Sequence, residues 1–240
     1  MAPLTTERTV GELVTERLSR SKIFEEYGID YCCNGNIPLT QACAEKGLNA
    51  DEVIERLHKA DETTPPEKEA DWNAASLTDL ADHIERTHHV YLRDVLPRLI
   101  DLMEKVREAH CKRHGELADV QRTFMALKDE LEMHMMKEEQ VLFPMIRAME
   151  KGDVSATAHC GGLDNPIRVM EHEHEYAGNA LARLRDLTGG YVPPEDACPS
   201  YRAMLDALTE LEFDLHQHIH KENNILFPRA SLREAELMRA

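Results

Sequence analysis

Apolar residues recur along the chain at intervals of three and four, and Pro and Gly gather between the segments they define. The pattern predicts a mostly α-helical protein without strands. One long stripe reads Phe124, Leu127, Leu131, His134, Glu138, Val141, Met145, and a second reads Leu208, Leu211, Leu215, His218, Glu222, Ile225. Each stripe is one face of a helix, so two histidines and two glutamates point at a core. Pro144 and Pro228 close the two motifs. Further helices are expected at roughly 76–107 and 164–187, joined to their successors by the loops HCKRHGELAD and TGGYVPPEDACPS. Four helices with short connections predict an antiparallel four-helix bundle.

The bundle carries an internal repeat. HMMKEEQVLFP, from His134, returns as HIHKENNILFP, from His218, with His, Lys, Glu and Leu-Phe-Pro at the same spacing. At an offset of 85, HVYLRDVLPRL from His89 aligns with HEYAGNALARL from His174. The alignment selects His89 over its neighbour His88, and His174 over His172, as inward-facing residues.

Ahead of the bundle lies a shorter helical unit. The charged stretch ADETTPPEKEAD, with two prolines and no large apolar residue, reads as a linker. The expected organisation is a small helical domain at 1–60, a linker at 61–71 and the bundle at 72–240.

Composition narrows the function. The chain has 240 residues, 42% of them hydrophobic, which is enough for a true core. With 28 Lys plus Arg against 45 Asp plus Glu, the net charge of −17 disfavours nucleic acid and anionic membranes as partners. No basic-then-apolar leader and no run of ~20 apolar residues is present, so a soluble cytoplasmic protein is expected. Six cysteines in a chain of this length do not form a disulfide framework, and reduced thiols are expected.

Residues four apart share a helix face, so each His-x-x-x-Glu presents an imidazole and a carboxylate to one point in the core. An unpaired buried carboxylate costs several kcal/mol, more than a marginally stable domain tolerates. No Lys or Arg lies in these seams near the motifs, so metal ions are the expected compensation. His89, His134, Glu138, His174, His218 and Glu222 supply four nitrogens and two carboxylates, too many for one tetrahedral zinc. They fit a dinuclear non-haem iron site, in which manganese or zinc could substitute in vitro.

These motifs, with EHEYAG and the N-terminal YGIDYCCNGNIPLTQAC, resemble the RIC family of iron–sulfur cluster repair proteins over nearly the whole chain. The resemblance implies an all-α fold: a small cysteine-containing domain of the ScdA type followed by a hemerythrin-like di-iron bundle. It implies repair of clusters damaged by nitric oxide or oxidants, the same six ligands, and Glu138 and Glu222 as bridges. Oxygen-carrying hemerythrins use more histidines, which argues against simple oxygen storage.

Cys32 and Cys33 are expected at an accessible turn between short helices, before Gly35. The residues alone leave a redox or metal-transfer pair and a packed cysteine beside a bystander equally open; the resemblance favours function. Cys43, Cys111, Cys160 and Cys198 receive no role. His110, His114 and His159 are expected to be solvated in loops, Lys137 and Lys221 to lie at the surface, and Glu130 and Glu173 to be exposed carboxylates, the alternative being support of the ligands from behind or a proton path. The expected function is iron delivery to damaged iron–sulfur proteins. A nitric oxide reductase and an oxygen or nitric oxide sensor or carrier are the alternatives, and a homodimer is left open.

Overall fold

A computed structural model describes residues 3–63, 71–153 and 162–239. His159, Cys160 and most of the expected linker lie outside the described residues. Among those described there is no strand, only an isolated bridge between Thr9 and Pro38. The helices are α1 Val10–Glu16, α2 Ser21–Glu26, α3 Leu39–Lys46, α4 Ala50–Thr63, α5 Leu77–Ile84, α6 Val90–His110, α7 Leu117–Lys137, α8 Phe143–Glu150, α9 Asp164–Leu187, α10 Pro199–Lys221 and α11 Phe227–Arg239. No described helix is long and apolar enough to cross a membrane.

The chain forms two compact units, one of Met1–Leu80 with His216–Ala240 and one of Ala81–Leu215. The first unit starts with a capping box at α1: Thr9 Oγ1 accepts from the Glu12 amide at 3.2 Å, and Glu12 accepts from the Thr9 amide at 3.1 Å. Its core joins Val10, Leu13, Phe24, Leu39 and Leu57 to Ile219, which is why the chain from His216 groups with the N-terminal helices. Helix α4 runs to Thr63, three residues into the expected linker. Asp61 has a structural task there, since its carboxylate receives the buried Arg20 guanidinium at 2.6 Å.

The second unit is the antiparallel bundle, with Leu92, Leu96 and Leu99 of α6, Phe124, Leu127 and Leu131 of α7, Leu181 and Leu184 of α9, and Leu208, Leu211 and Leu215 of α10 in one core. Burying each such side chain stabilises the unit by about 1.5–3 kcal/mol. The helices do not stop at the prolines of the repeat. Pro144 and Pro228 cannot donate to the carbonyls four residues back, and the helices widen into π-turns at Glu138–Leu142 and Glu222–Leu226 before continuing. The extra residue shifts the face that points inward: Val141, expected in the core stripe, is 44% exposed, and Leu142 is buried in its place. A third π-turn spans Glu85–His89.

Candidate metal centre

In the bundle unit, π-turns begin at Glu138 and end at His89, two of the expected ligands. Glu138 is completely buried, and neither of its carboxylate oxygens receives a hydrogen bond from any described residue. What faces it is imidazole nitrogen: His89 Nε2 lies 3.3 Å and His134 Nε2 3.4 Å from Oε2. The Nε2 atoms of His134 and His174 approach each other at 3.1 Å.

The far sides of two rings set their orientation. His89 Nδ1 lies 2.7 Å from Glu139 Oε1, and His134 Nδ1 lies 2.9 Å from Glu173 Oε2. A carboxylate against Nδ1 holds the proton there and turns the Nε2 lone pair inward, the arrangement in which imidazole binds metals. Burial works to raise the Glu173 carboxyl, but hydrogen bonds from His134 and Lys137 outweigh it and hold it down at about 2. Glu139 is likewise lowered, its burial outweighed by hydrogen bonds from Arg93 and His89. Both outer groups are therefore carboxylates at neutral pH. Inward lone pairs around a buried anion repel one another, and a cation among them reverses that energy. The nitrogen and oxygen donors of His134, Glu138 and His174, all within 4.8 Å, suit iron, manganese or zinc.

In the other unit the second copy of the motif repeats the pairing, with His218 Nε2 3.0 Å from Glu222 Oε1 and both side chains buried. Of the adjacent pair, His89 lies against Glu138, while His88 is also buried but directs Nδ1 to Asp214 at 2.9 Å. His174 is buried and His172 exposed.

The π-turn that begins at Glu222 also holds the dithiol turn of its own unit. Asn223 and Asn224 donate to the Cys32 carbonyl at 3.3 and 3.0 Å. Asp30 Oδ1 accepts from the amides of Cys32 at 3.0 Å and Cys33 at 2.9 Å, and the two sulfurs are 3.8 Å apart. Contrary to the expected accessibility of both thiols, Cys32 is buried and only Cys33 is partly exposed. The hydrogen bond with Cys33, then burial, then the charges nearby push the Cys32 thiol up, so it stays protonated at neutral pH.

Several surface expectations are corrected. Lys221 is buried, and Glu173 is engaged by His134 and Lys137. His110 is buried at the end of α6, and His114 pairs with Glu116 and Asp196. Glu130 is exposed. Glu139 and Asp214 escaped the sequence reading. For Glu139 the available signal was a second acid directly after the buried one.

Fold and donors together define a helical-bundle cation-binding protein. Residues 80–230 match the hemerythrin HHE cation binding domain, and residues 6–61 match a domain described as of unknown function, DUF542. The chain is 38% identical to the probable iron-sulfur cluster repair protein of Haemophilus influenzae over 227 residues, covering 93% of this chain and 96% of that one. The iron-sulfur cluster repair protein YtfE of Pectobacterium carotovorum is 38% identical over 224 residues with the same coverage. That of Musicola paradisiaca is 39% identical over 233 residues, covering 95% and 98%. The chain belongs to this family of iron–sulfur cluster repair proteins.

Proposed function

We propose that this protein restores iron–sulfur clusters damaged by nitrosative or oxidative stress, acting in the cytoplasm by delivering iron to the damaged client from a centre of two irons. In this reading His89, His134, Glu138, His174, His218 and Glu222 would hold the irons, with Glu138 and Glu222 the carboxylates that could be shared between them. The observation that carries it is Glu138: a buried carboxylate without a hydrogen bond from any described residue, faced by imidazole Nε2 atoms whose Nδ1 protons are held by Glu139 and Glu173. The chain's relatives, iron-sulfur cluster repair proteins, support cluster repair as the purpose.

Iron bound there supplies a cation that can be released to a client. The chain's own residues do the rest. Glu139 and Glu173 keep two imidazoles in the metal-binding tautomer and aim them. Lys137 steadies Glu173 from the rim. The dithiol turn, held by residues that directly follow the ligand Glu222, offers soft donors of the kind that iron–sulfur clusters use. Cys33, the more exposed thiol, meets a client first.

The test is reactivation of a [4Fe–4S] enzyme inactivated by nitric oxide. Iron-loaded protein should restore activity and lose iron in proportion, and iron-free protein should not. Replacing Cys32 and Cys33 together by Ser should leave the iron content intact and slow repair. Many turnovers of nitric oxide to nitrous oxide with an added electron donor, without recovery of the client, would overturn iron delivery in favour of a nitric oxide reductase. Reversible oxygen or nitric oxide binding without either activity would point to a sensor or carrier.

A further inference from the structure

We propose that His110, His114 and Asp196 form a second divalent-metal site, of a kind suited to zinc, within the bundle unit. His110 ends α6, His114 lies in the turn that follows, and Asp196 sits in the connection before α10. Each offers a ligand atom within 4.8 Å of the other two. Ligands at about 2.0–2.2 Å from a metal stand ~3.0 Å apart at right angles and ~3.4 Å apart at tetrahedral angles. His114 Nε2 and Asp196 Oδ1, at 2.9 Å, sit at the right-angle spacing and would open by about 0.5 Å to reach the tetrahedral one.

The surroundings repeat the logic of the buried centre. Glu116 lies 2.9 Å from His114 Nδ1, as Glu139 does for His89 and Glu173 for His134, and leaves Nε2 to face the second carboxylate. Tyr201 packs against both rings, with centroids 5.3 Å from His110 and 5.6 Å from His114. Asp196 keeps a route open to solvent, since its side chain is 35% exposed.

A protonated His114 held between two carboxylates is the simpler account of that pair, and the hydrogen bonds to Asp196 and then Glu116 do raise its pKa. That account leaves His110 unexplained. His110 is 5% exposed, its Nδ1 has no hydrogen bond to any described residue, and its ring lies 5.9 Å from a ring that would carry a positive charge. A buried imidazole nitrogen without a hydrogen bond is costly, whereas two neutral imidazoles and a carboxylate around a dication are a common ligand set. The competing cation, Arg113 at 3.3 Å from Asp196, is 66% exposed and easily displaced.

Full-length protein, first loaded with iron, is titrated with zinc, and both metals are measured on the protein after equilibrium dialysis. One zinc per chain should bind without release of iron. His114→Ala and Asp196→Asn should each lower the zinc affinity at least ~10-fold, with iron content and helicity unchanged. Asp196→Asn is isosteric and partly exposed, so it keeps the test decisive if His114→Ala fails to fold. Zinc uptake matched by iron loss, no uptake, or uptake indifferent to Asp196→Asn would overturn the proposal.

Discussion

The side-chain amide of Asn224 donates to the carbonyl of Cys32 at 3.0 Å, across 192 residues of sequence. Space for it is made by two glycines, because a Cβ on either Gly11 or Gly35 would lie 2.4 Å from Asn224 Oδ1. The backbones of those glycines are themselves joined, Gly11 N to Gly35 O at 2.7 Å. The dithiol turn is thus set by an asparagine seated between two residues that lack side chains.

Asn224→Ala should therefore loosen the dithiol turn. Its loss removes the shorter of two bonds to the Cys32 carbonyl, Asn223 remaining, at a cost of about 0.5–1.5 kcal/mol. The expected outcome is lower stability to urea and faster labelling of Cys32 by a thiol reagent under native conditions. Gly35→Ala should produce both effects more strongly, since its Cβ would also lie 2.6 Å from the Tyr31 carbonyl oxygen. A variant with labelling as slow as the parent would show that Asn224 does not control the turn.

Helical periodicity made the bundle readable, and with it the inward direction of His134, Glu138, His218 and Glu222, which fall in register with leucines, while the internal repeat selected His89 and His174. It misled at Val141, where a π-turn inserts a residue that a 3.6-residue period does not anticipate. It also misled at Glu173 and Lys221, where the reach of a long side chain or its packing decides burial rather than its place in a stripe. The two compact units were not readable, because they depend on Ile219 packing among Phe24, Leu39 and Leu57, a contact between opposite ends of the chain.

Asp61 offers a test of where the N-terminal helices end. Arg20 is 1% exposed and is held by Asp61 at 2.6 Å and Glu16 at 3.0 Å. Asp61→Ala should leave that guanidinium with Glu16 as its remaining carboxylate and destabilise the protein by about 3 kcal/mol. Burial opposes the shift at Glu16, but its hydrogen bonds to Arg8 and Arg20 prevail and lower its pKa below the ordinary 4.5. The folded value being depressed, its stabilisation is complete above pH 4.5 and is lost as pH falls through the lower folded value. Urea midpoints of the parent should drop across that acid window, and those of Glu16→Gln should drop less.

His88 and His89 are adjacent and both buried, yet they serve different partners. If His89 is the ligand, His89→Ala should weaken iron binding at least ~10-fold, the scale of a lost metal contact. His88→Ala removes a partner of Asp214 and should change iron affinity less, while lowering stability. Iron affinity measured by competition with a chelator decides between them, and a larger loss for His88→Ala would reverse the assignment.

Glu139 and Glu173 touch no inward nitrogen, so their influence on the metal must pass through His89 and His134. Glutamine at either position keeps the size and one acceptor but removes the charge that fixes the Nδ1 proton. Glu173→Gln should lower iron affinity about 10–100-fold, the usual effect of losing the carboxylate behind a ligating histidine, and Glu139→Gln should do the same. Lys137→Ala removes a partner of Glu173 that is 38% exposed, so its effect should be smaller. A purely structural role for these carboxylates would move the urea midpoint and leave the ligand-field spectrum of a cobalt-substituted centre as it was. A spectrum altered by Glu173→Gln but not by Lys137→Ala would place the carboxylate's action on the imidazole itself, and an unaltered spectrum in both would remove Glu173 from the centre.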